Sequence, residues 1–320
     1  MKEDEQREYI RKEMKNYPVK DIEISEIRSL ENLLEAYYLG GGFSVKNLAV
    51  AAEILKRMVK EEETTVFLSF PACVVATGLR GVLRELVKRR YVDAVITTCG
   101  ALDHDIARVL KNYYHGSFEM DDRLLHQEGV NRLGNILIPN ESYGRALEKF
   151  MQPLLEEMWK EEKKKFSTTE LAWEFGKRLK SEDSILYQAW KNNVPVFVPG
   201  ITDGAFGSQL WLFYQTHREF TIDLFKDEQN IADIVFKAEK LGALMIGGGI
   251  SKHHTIWWSQ FKDGLDYAVY LTTAQEYDGS LSGARLREAV SWGKVKENAR
   301  YVTVEGDATL TLPLVVSNLF

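Results

Sequence analysis

Lys294 ends the run EAVSWGK (residues 288–294), with Trp292 close before it. A lysine walled by an indole is desolvated, which lowers its pKa and frees the amine to attack an imine or carbonyl carbon. A lysine without such a wall is ordinarily a surface charge, and Lys262 and Lys296 are expected to be solvated. A second candidate is the pair His253 and His254. Adjacent residues at the start of a helix send their imidazoles to different faces, which makes a poor metal site. One ring can then move protons near neutral pH while the other is structural. Just before them stand Gly247, Gly248 and Gly249. They either let the backbone approach a phosphate-bearing ligand or simply make a tight strand-to-helix turn.

These residues need a scaffold. The runs TTVFLSF (64–70), VDAVITT (92–98), VPVFVPG (194–200), REFTIDL (218–224), ALMIGGG (243–249), DYAVYLT (266–272) and YVTVEGD (301–307) read as strands. Helical periodicity appears around 26–38, 45–62, 78–90, 102–114, 148–165 and 230–242. Strand–helix alternation at this spacing predicts an α/β protein with a mostly parallel sheet. The stretch 115–190 is less regular, and Ser167 with Glu170 fits a capping box. Residues 1–20 read as a charged, partly helical arm, and residues 21–320 as one continuous domain.

Composition excludes several classes. No apolar run approaches the roughly 20 residues of a membrane span. The charged start has no apolar core, so no secretory signal is expected. Acidic and basic residues are interleaved at a net charge of −6, so no basic stripe points to nucleic acid. That balance suits a cationic substrate. Cys73 and Cys99 have no zinc spacing and are expected to be reduced, buried thiols, which suits a cytoplasmic protein.

In open α/β sheets, ligands bind outside the carboxyl ends of the strands. After the expected strands come Pro71-Ala72-Cys73, Cys99 to His104, Ile201 to Gly204, Gly247 to His254, Thr273 to Gly279 and Gly306 to Ala308. Small residues, threonines, acids and histidines gather there, as a dinucleotide site requires, although the GxGxxG fingerprint is absent.

Several of these segments together resemble the deoxyhypusine synthase family: GGGISKHH (247–254), DYAVYLTTAQEYDGSLSGAR (266–285), EAVSWGK, GDATLTLPLVV (306–316), VNRLGNILIPNESY (130–143) and VPVFVPGITDGAFG (194–207). The resemblance runs from about residue 64 to the C-terminus. It implies a Rossmann-like fold and a reaction in which NAD oxidises spermidine beside its secondary amine. An active-site lysine takes the butylamine moiety as an imine and releases diaminopropane. The aminobutyl group then passes to a lysine of the translation initiation factor 5A precursor, and the retained hydride reduces the new imine. By resemblance, Lys294 forms the imine, His253 and Glu288 are catalytic, and Trp292 lines the polyamine tunnel. Asp103, His104, Ser208, Gly279 and Ser282 fall at substrate-binding positions. Thr98, Cys99, Gly100, Asp203, Gly248, Thr273, Ala274, Asp307 and Ala308 fall at NAD-binding positions, with Asp203 on a ribose hydroxyl. The family forms homotetramers whose sites are shared across a dimer interface. No metal is implied.

The sequence departs from the family pattern at Ser208 and Leu281, where acids hold spermidine's amines. Trp257 replaces an asparagine, His104 a glutamate, and Ala72 and Cys73 a serine and an asparagine. The catalytic set is therefore expected intact and the amine-reading set altered. A homospermidine synthase-like transfer using putrescine or agmatine is the alternative.

Overall fold

The computed structural model describes residues 6–8, 12, 14, 17–161 and 163–320, so the expected arm 1–20 lies largely outside the described residues. The strands are β1 (Thr64–Phe70), β2 (Ala94–Thr97), β3 (Tyr114–His115), β4 (Val130–Leu133), β5 (Ile136–Pro139), β6 (Lys165–Phe166), β7 (Val196–Phe197), β8 (Thr221–Ile222), β9 (Lys240–Ile246), β10 (Leu265–Thr272) and β11 (Val295–Glu305). Six of them form one parallel sheet in the order β11-β10-β9-β1-β2-β7.

The side chains of β1 explain why this sheet is central. Val66, Leu68 and Phe70 enter one hydrophobic core, while Phe67 enters the other. A strand buried on both faces reads as a continuous apolar run and needs helices on each side. The Phe43–Lys60 and Leu79–Lys88 helices cover the first face, through Leu55, Met58, Leu83 and Leu86. The Leu224–Lys237 and Gly249–Ser259 helices cover the second, through Ile231, Val235 and Ile256. The expected α/β architecture is what the chain adopts, as a single domain.

Three local expectations need correction. The run 218–224 contributes only Thr221–Ile222, which pairs with β6 in a separate two-stranded sheet. The Asp223 carboxylate accepts from the Lys226 N–H, so a helix starts at Leu224 instead. That helix ends at Lys237, not at 242, because Ala238 turns to extended backbone and Lys240 enters β9. Strand β11 begins at Val295, well before 301. It forms the sheet edge, where the polar run KENAR is tolerated. The capping box forms as expected: the Ser167 hydroxyl accepts from Glu170 N–H, and the Glu170 carboxylate from Ser167 N–H.

Between residues 114 and 139 the irregular middle makes a three-stranded antiparallel sheet, β3-β5-β4. Among the described residues, no helix is long and apolar enough to cross a membrane.

Candidate active site

Lys294 is fixed by its main chain. Gly293, at φ +67°, ends the Leu286–Ser291 helix and reverses the chain. The Lys294 N–H then donates to Ala289 O, while its own carbonyl accepts from Leu265 N–H and from the Ser259 hydroxyl. The pairing of β10 with β11 shifts register immediately afterwards. Lys294 as a whole is 8% exposed. Its ammonium lies 5.4 Å from the Trp292 ring centre and 5.5 Å from that of Trp257. Among the described residues no hydrogen bond or ion pair holds the Lys294 amine, so reaction there breaks none.

Trp257 is the wall that sequence reasoning missed, having counted it only as a lost asparagine. It lies one helical turn from His253, and the two rings stack at 5.7 Å between centres. Residues four apart share a helix face, so this pairing was legible in the spacing. His253 is exposed, and burial followed by the Lys294 charge lowers its pKa. His254 points elsewhere, to Glu228 at 3.4 Å. The two histidines do face apart, though they lie one turn into the Gly249–Ser259 helix and not at its start.

Glu288 is exposed, and its charge is felt at Lys252. Lys252 was not singled out in the sequence, yet it is 2% exposed and donates to the carbonyls of Leu281 and Ala284 at 2.9 and 2.7 Å. Its ammonium sits 3.8 Å from the Tyr270 ring centre. Burial brings its pKa down to about 8, against the pull of Glu288. With Lys252, the Tyr270 and Thr272 hydroxyls, which both donate to Ser282 O, bind the 281–284 strap to the sheet. Leu281, partly buried, packs against the second core.

The strap supports the glycine turn. Gly247 and Gly249 have φ of +62° and +69°. Gly248 touches Ser282 so closely that a Cβ would lie 2.4 Å from the Ser282 Cα. Thr273, Asp307 and Ala308 join Gly247, Pro71 and Cys73 around a cavity of about 420 Å³ at the carboxyl ends of β1, β9, β10 and β11. Ligand pockets span about 300–1,000 Å³, so this one suits part of a dinucleotide. Asp307 caps the Ala308–Ser317 helix through Thr309 N–H, leaving the helix's positive end at the cavity. Ala274 is drawn in by Thr272 and Arg285, and Gly279, at φ +72°, ends the following turn. Cys73 is exposed at this cavity, contrary to the expectation of a buried thiol, because its short helix starts outside the sheet end.

The remaining residues form a different group. Thr98 Oγ1 accepts from Ala72 N–H, and Gly100 packs on Ala72. Cys99 is buried, its Sγ accepts from Gly207 N–H, and burial pushes the thiol up to about 12. Asp203 and Ser208 are exposed nearby, and the Ser208 hydroxyl donates to Gly204 O.

Asp103 does not face solvent as a polyamine-reading acid would. It is 0% exposed, and its carboxylate accepts from the Tyr143 hydroxyl and from Ala205 and Phe206 N–H, at 2.7, 2.9 and 2.7 Å. It caps the Ala205–Tyr214 helix, and burial raises its pKa. His104 is 9% exposed and bonded to the Tyr113 hydroxyl, where the loop packs it inward. Asp103→Ala leaves three buried donors unpaired. It should cost about 2–4 kcal/mol of stability in denaturant titration.

Two histidines set an acid limit. Burial lowers both His104 and His254 from 6.5 to about 4. Between those values the unfolded chain binds more protons than the folded one, so stability falls as pH falls. The loss reaches up to about 3 kcal/mol per histidine. His104→Gln and His254→Gln should each flatten the decline of melting temperature between pH 6.5 and 4, measured by calorimetry.

A family model for deoxyhypusine synthase matches residues 32–319. The chain is 55% identical over 307 residues to the probable deoxyhypusine synthase of Picrophilus torridus, covering 96% of this chain and 98% of that one. It is 56% identical over 307 residues to that of Thermoplasma acidophilum, with the same coverage of 96% and 98%. Its fold is similar to the crystal structure of an Entamoeba histolytica protein assigned to the same enzyme, with a TM-score of 0.64 at 22% identity, covering 94% of this chain and 96% of that one. Sequence and fold agree, and the chain belongs to the deoxyhypusine synthase family, a family of transferases.

Proposed function

We propose that this protein is an NAD-dependent aminobutyl transferase that carries the transferred group on Lys294. The observation that carries this reading is the buried Lys294 amine between Trp257 and Trp292, unpaired among the described residues, with His253 stacked alongside on Trp257. The family supports the donor and acceptor: spermidine, and one lysine of the translation initiation factor 5A precursor.

The residues present fit NAD. Gly247, Thr273, Asp307 and Ala308 would hold it at the strand ends, with Asp307 or Asp203 on ribose hydroxyls. When bound, it supplies a hydride acceptor for the amine donor and returns the hydride to the product. Lys294 Nζ attacks the carbon of the oxidised donor, and the C–N bond to diaminopropane breaks as that amine leaves with a proton. The aminobutyl imine is then on Lys294. The acceptor lysine attacks the same carbon and displaces Lys294, and return of the hydride to that second imine leaves a secondary amine and no net oxidation. His253 moves protons to and from these amines, its lowered pKa keeping the ring neutral enough to accept one. Lys294 is 8% exposed between the two indoles, which limits the water able to hydrolyse the imine.

Thr98, Cys99, Gly100, Asp203 and Ser208 share no bond or ring contact with Lys294 among the described residues. A homotetramer in which the second group comes from the partner would complete the site. Exposed Trp211 and Phe225, at 64% and 86%, suit such a buried interface. A cytoplasmic location follows from the acceptor.

A second reading has one specific support. Leu281 packs against the core and Ser208 bonds its own helix, so neither position offers the carboxylate that grips spermidine. Putrescine or agmatine in a homospermidine synthase-like transfer would need fewer acids. Intact-mass analysis decides between them: incubation with NAD, spermidine and the precursor should add an aminobutyl group to the precursor. No mass gain with spermidine, beside a new polyamine formed from putrescine or agmatine, would establish the second reading.

A further inference from the structure

The β3-β5-β4 sheet projects over the carboxyl ends of the main sheet, and the reaction as derived gives it no task. Its turn residues Leu133, Gly134, Asn135 and Ile136 and the aromatic Phe118 form one wall of the 420 Å³ cavity whose other wall is Gly247, Thr273, Asp307 and Ala308. Phe118 is 66% exposed. A large apolar ring left in water at a cavity wall invites a planar ligand.

The ring is held on one side only. Gly134 has φ +59°, which the two-residue turn between β4 and β5 requires, and a Cβ there would lie 3.3 Å from Phe118 Cε1 and Cζ. The ring therefore rests on bare glycine backbone. That backbone is itself braced. Arg132 Nη1 donates to Gly134 O at 2.9 Å, while its Nε and Nη2 grip both oxygens of Asp122 at 2.7 Å. Gly116 N–H donates to Asn135 O. Phe118 has no aromatic partner among the described residues, and two-thirds of it is open to solvent. A ring pre-set in this way binds a flat base without an ordering cost.

Which ring it meets follows from the reaction. The ring that exchanges hydride must reach the carbon carried on Lys294. Lys294, His253, Trp257 and Trp292 are not among the residues lining this cavity. The cavity therefore suits the half of the dinucleotide that does no chemistry. We infer that Phe118, seated on Gly134, is the stacking platform for the adenine ring of the dinucleotide, and that the β3-β5-β4 sheet is its adenosine-binding wall. This rests on the NAD reading of the site.

The test is calorimetric titration of the full-length protein with NAD, ADP-ribose and nicotinamide mononucleotide. Phe118→Ala should weaken NAD and ADP-ribose by about tenfold, the ordinary effect of one lost base–aromatic stack. Nicotinamide mononucleotide, which lacks adenine, should bind as in the wild type. Phe118→Tyr should keep affinity within about twofold, since its ring stacks equally well. An unchanged melting temperature without ligand would show that the fold is intact. Equal ADP-ribose affinity in Phe118→Ala and wild type, with NAD bound by the wild type, overturns the stacking wall alone. A wild type that binds neither NAD nor ADP-ribose overturns the cofactor reading and this inference with it.

Discussion

Lys294→Arg is expected to abolish aminobutyl transfer, by on the order of a thousandfold or more, as loss of a covalent nucleophile does. NAD affinity should remain within about twofold, because Lys294 lies outside the strand-end cavity. Arginine keeps the positive charge but stays protonated, so it offers no neutral amine to attack the donor carbon. The substitution therefore separates nucleophile from charge. Borohydride added to the wild type with NAD and donor should reduce the imine and tag Lys294, as peptide mass would show. Transfer at the wild-type rate in Lys294→Arg, or a tag on another lysine, would remove the basis of the mechanism. Lys252 is the control: it too is buried, but its ammonium is tied to two carbonyls and so is poorly placed to attack.

Gly248→Ala is expected to be nearly as severe, for a steric reason. The new Cβ would lie 2.2 Å from Ser282 Oγ, 2.4 Å from its Cα and 2.7 Å from its Cβ. The Oγ could rotate away, but the backbone could not. Ser282 O is held by the Tyr270 and Thr272 hydroxyls, and Lys252 holds the carbonyls of Leu281 and Ala284. The glycine turn must move instead, and Gly247 at the cavity wall moves with it. Overpacking of this kind costs about 1–3 kcal/mol in stability. NAD affinity should fall by about a hundredfold, since a misplacement of about 1 Å has effects of that size. Titration and thermal melting read the two quantities. Adding Ser282→Gly should not restore affinity, because the clash with the Cα remains. Near-normal NAD binding in Gly248→Ala would mean that the strap yields and does not support the turn.

The sheet was legible because strands buried on both faces, such as TTVFLSF and ALMI, leave continuous apolar runs. Edge strand β11 was half-read, since KENAR shows no apolar pattern and, up to Arg300, lies in the irregularity where the pairing with β10 is interrupted. The end of the Leu224–Lys237 helix was misplaced because Lys240–Gly242 suits a helix locally and is claimed by pairing with β1 and β10. Asp103 was chemically conspicuous in sequence, but composition carries no direction. Only the packing of Tyr143 and of the Ala205–Tyr214 helix around it turns the carboxylate inward.

By itself, the sequence determined the α/β class, the family and the glycine turn, and it singled out Lys294 as a candidate, because these depend on residue type and short-range order. Tertiary structure decided that Trp257 joins Trp292 around the amine, that Lys252 is spent on holding a strap, and that Phe118 lines the cavity at the strand ends. Each of these joins residues from separate elements, and the distance between such residues is set by how helices and strands pack, which no local pattern encodes.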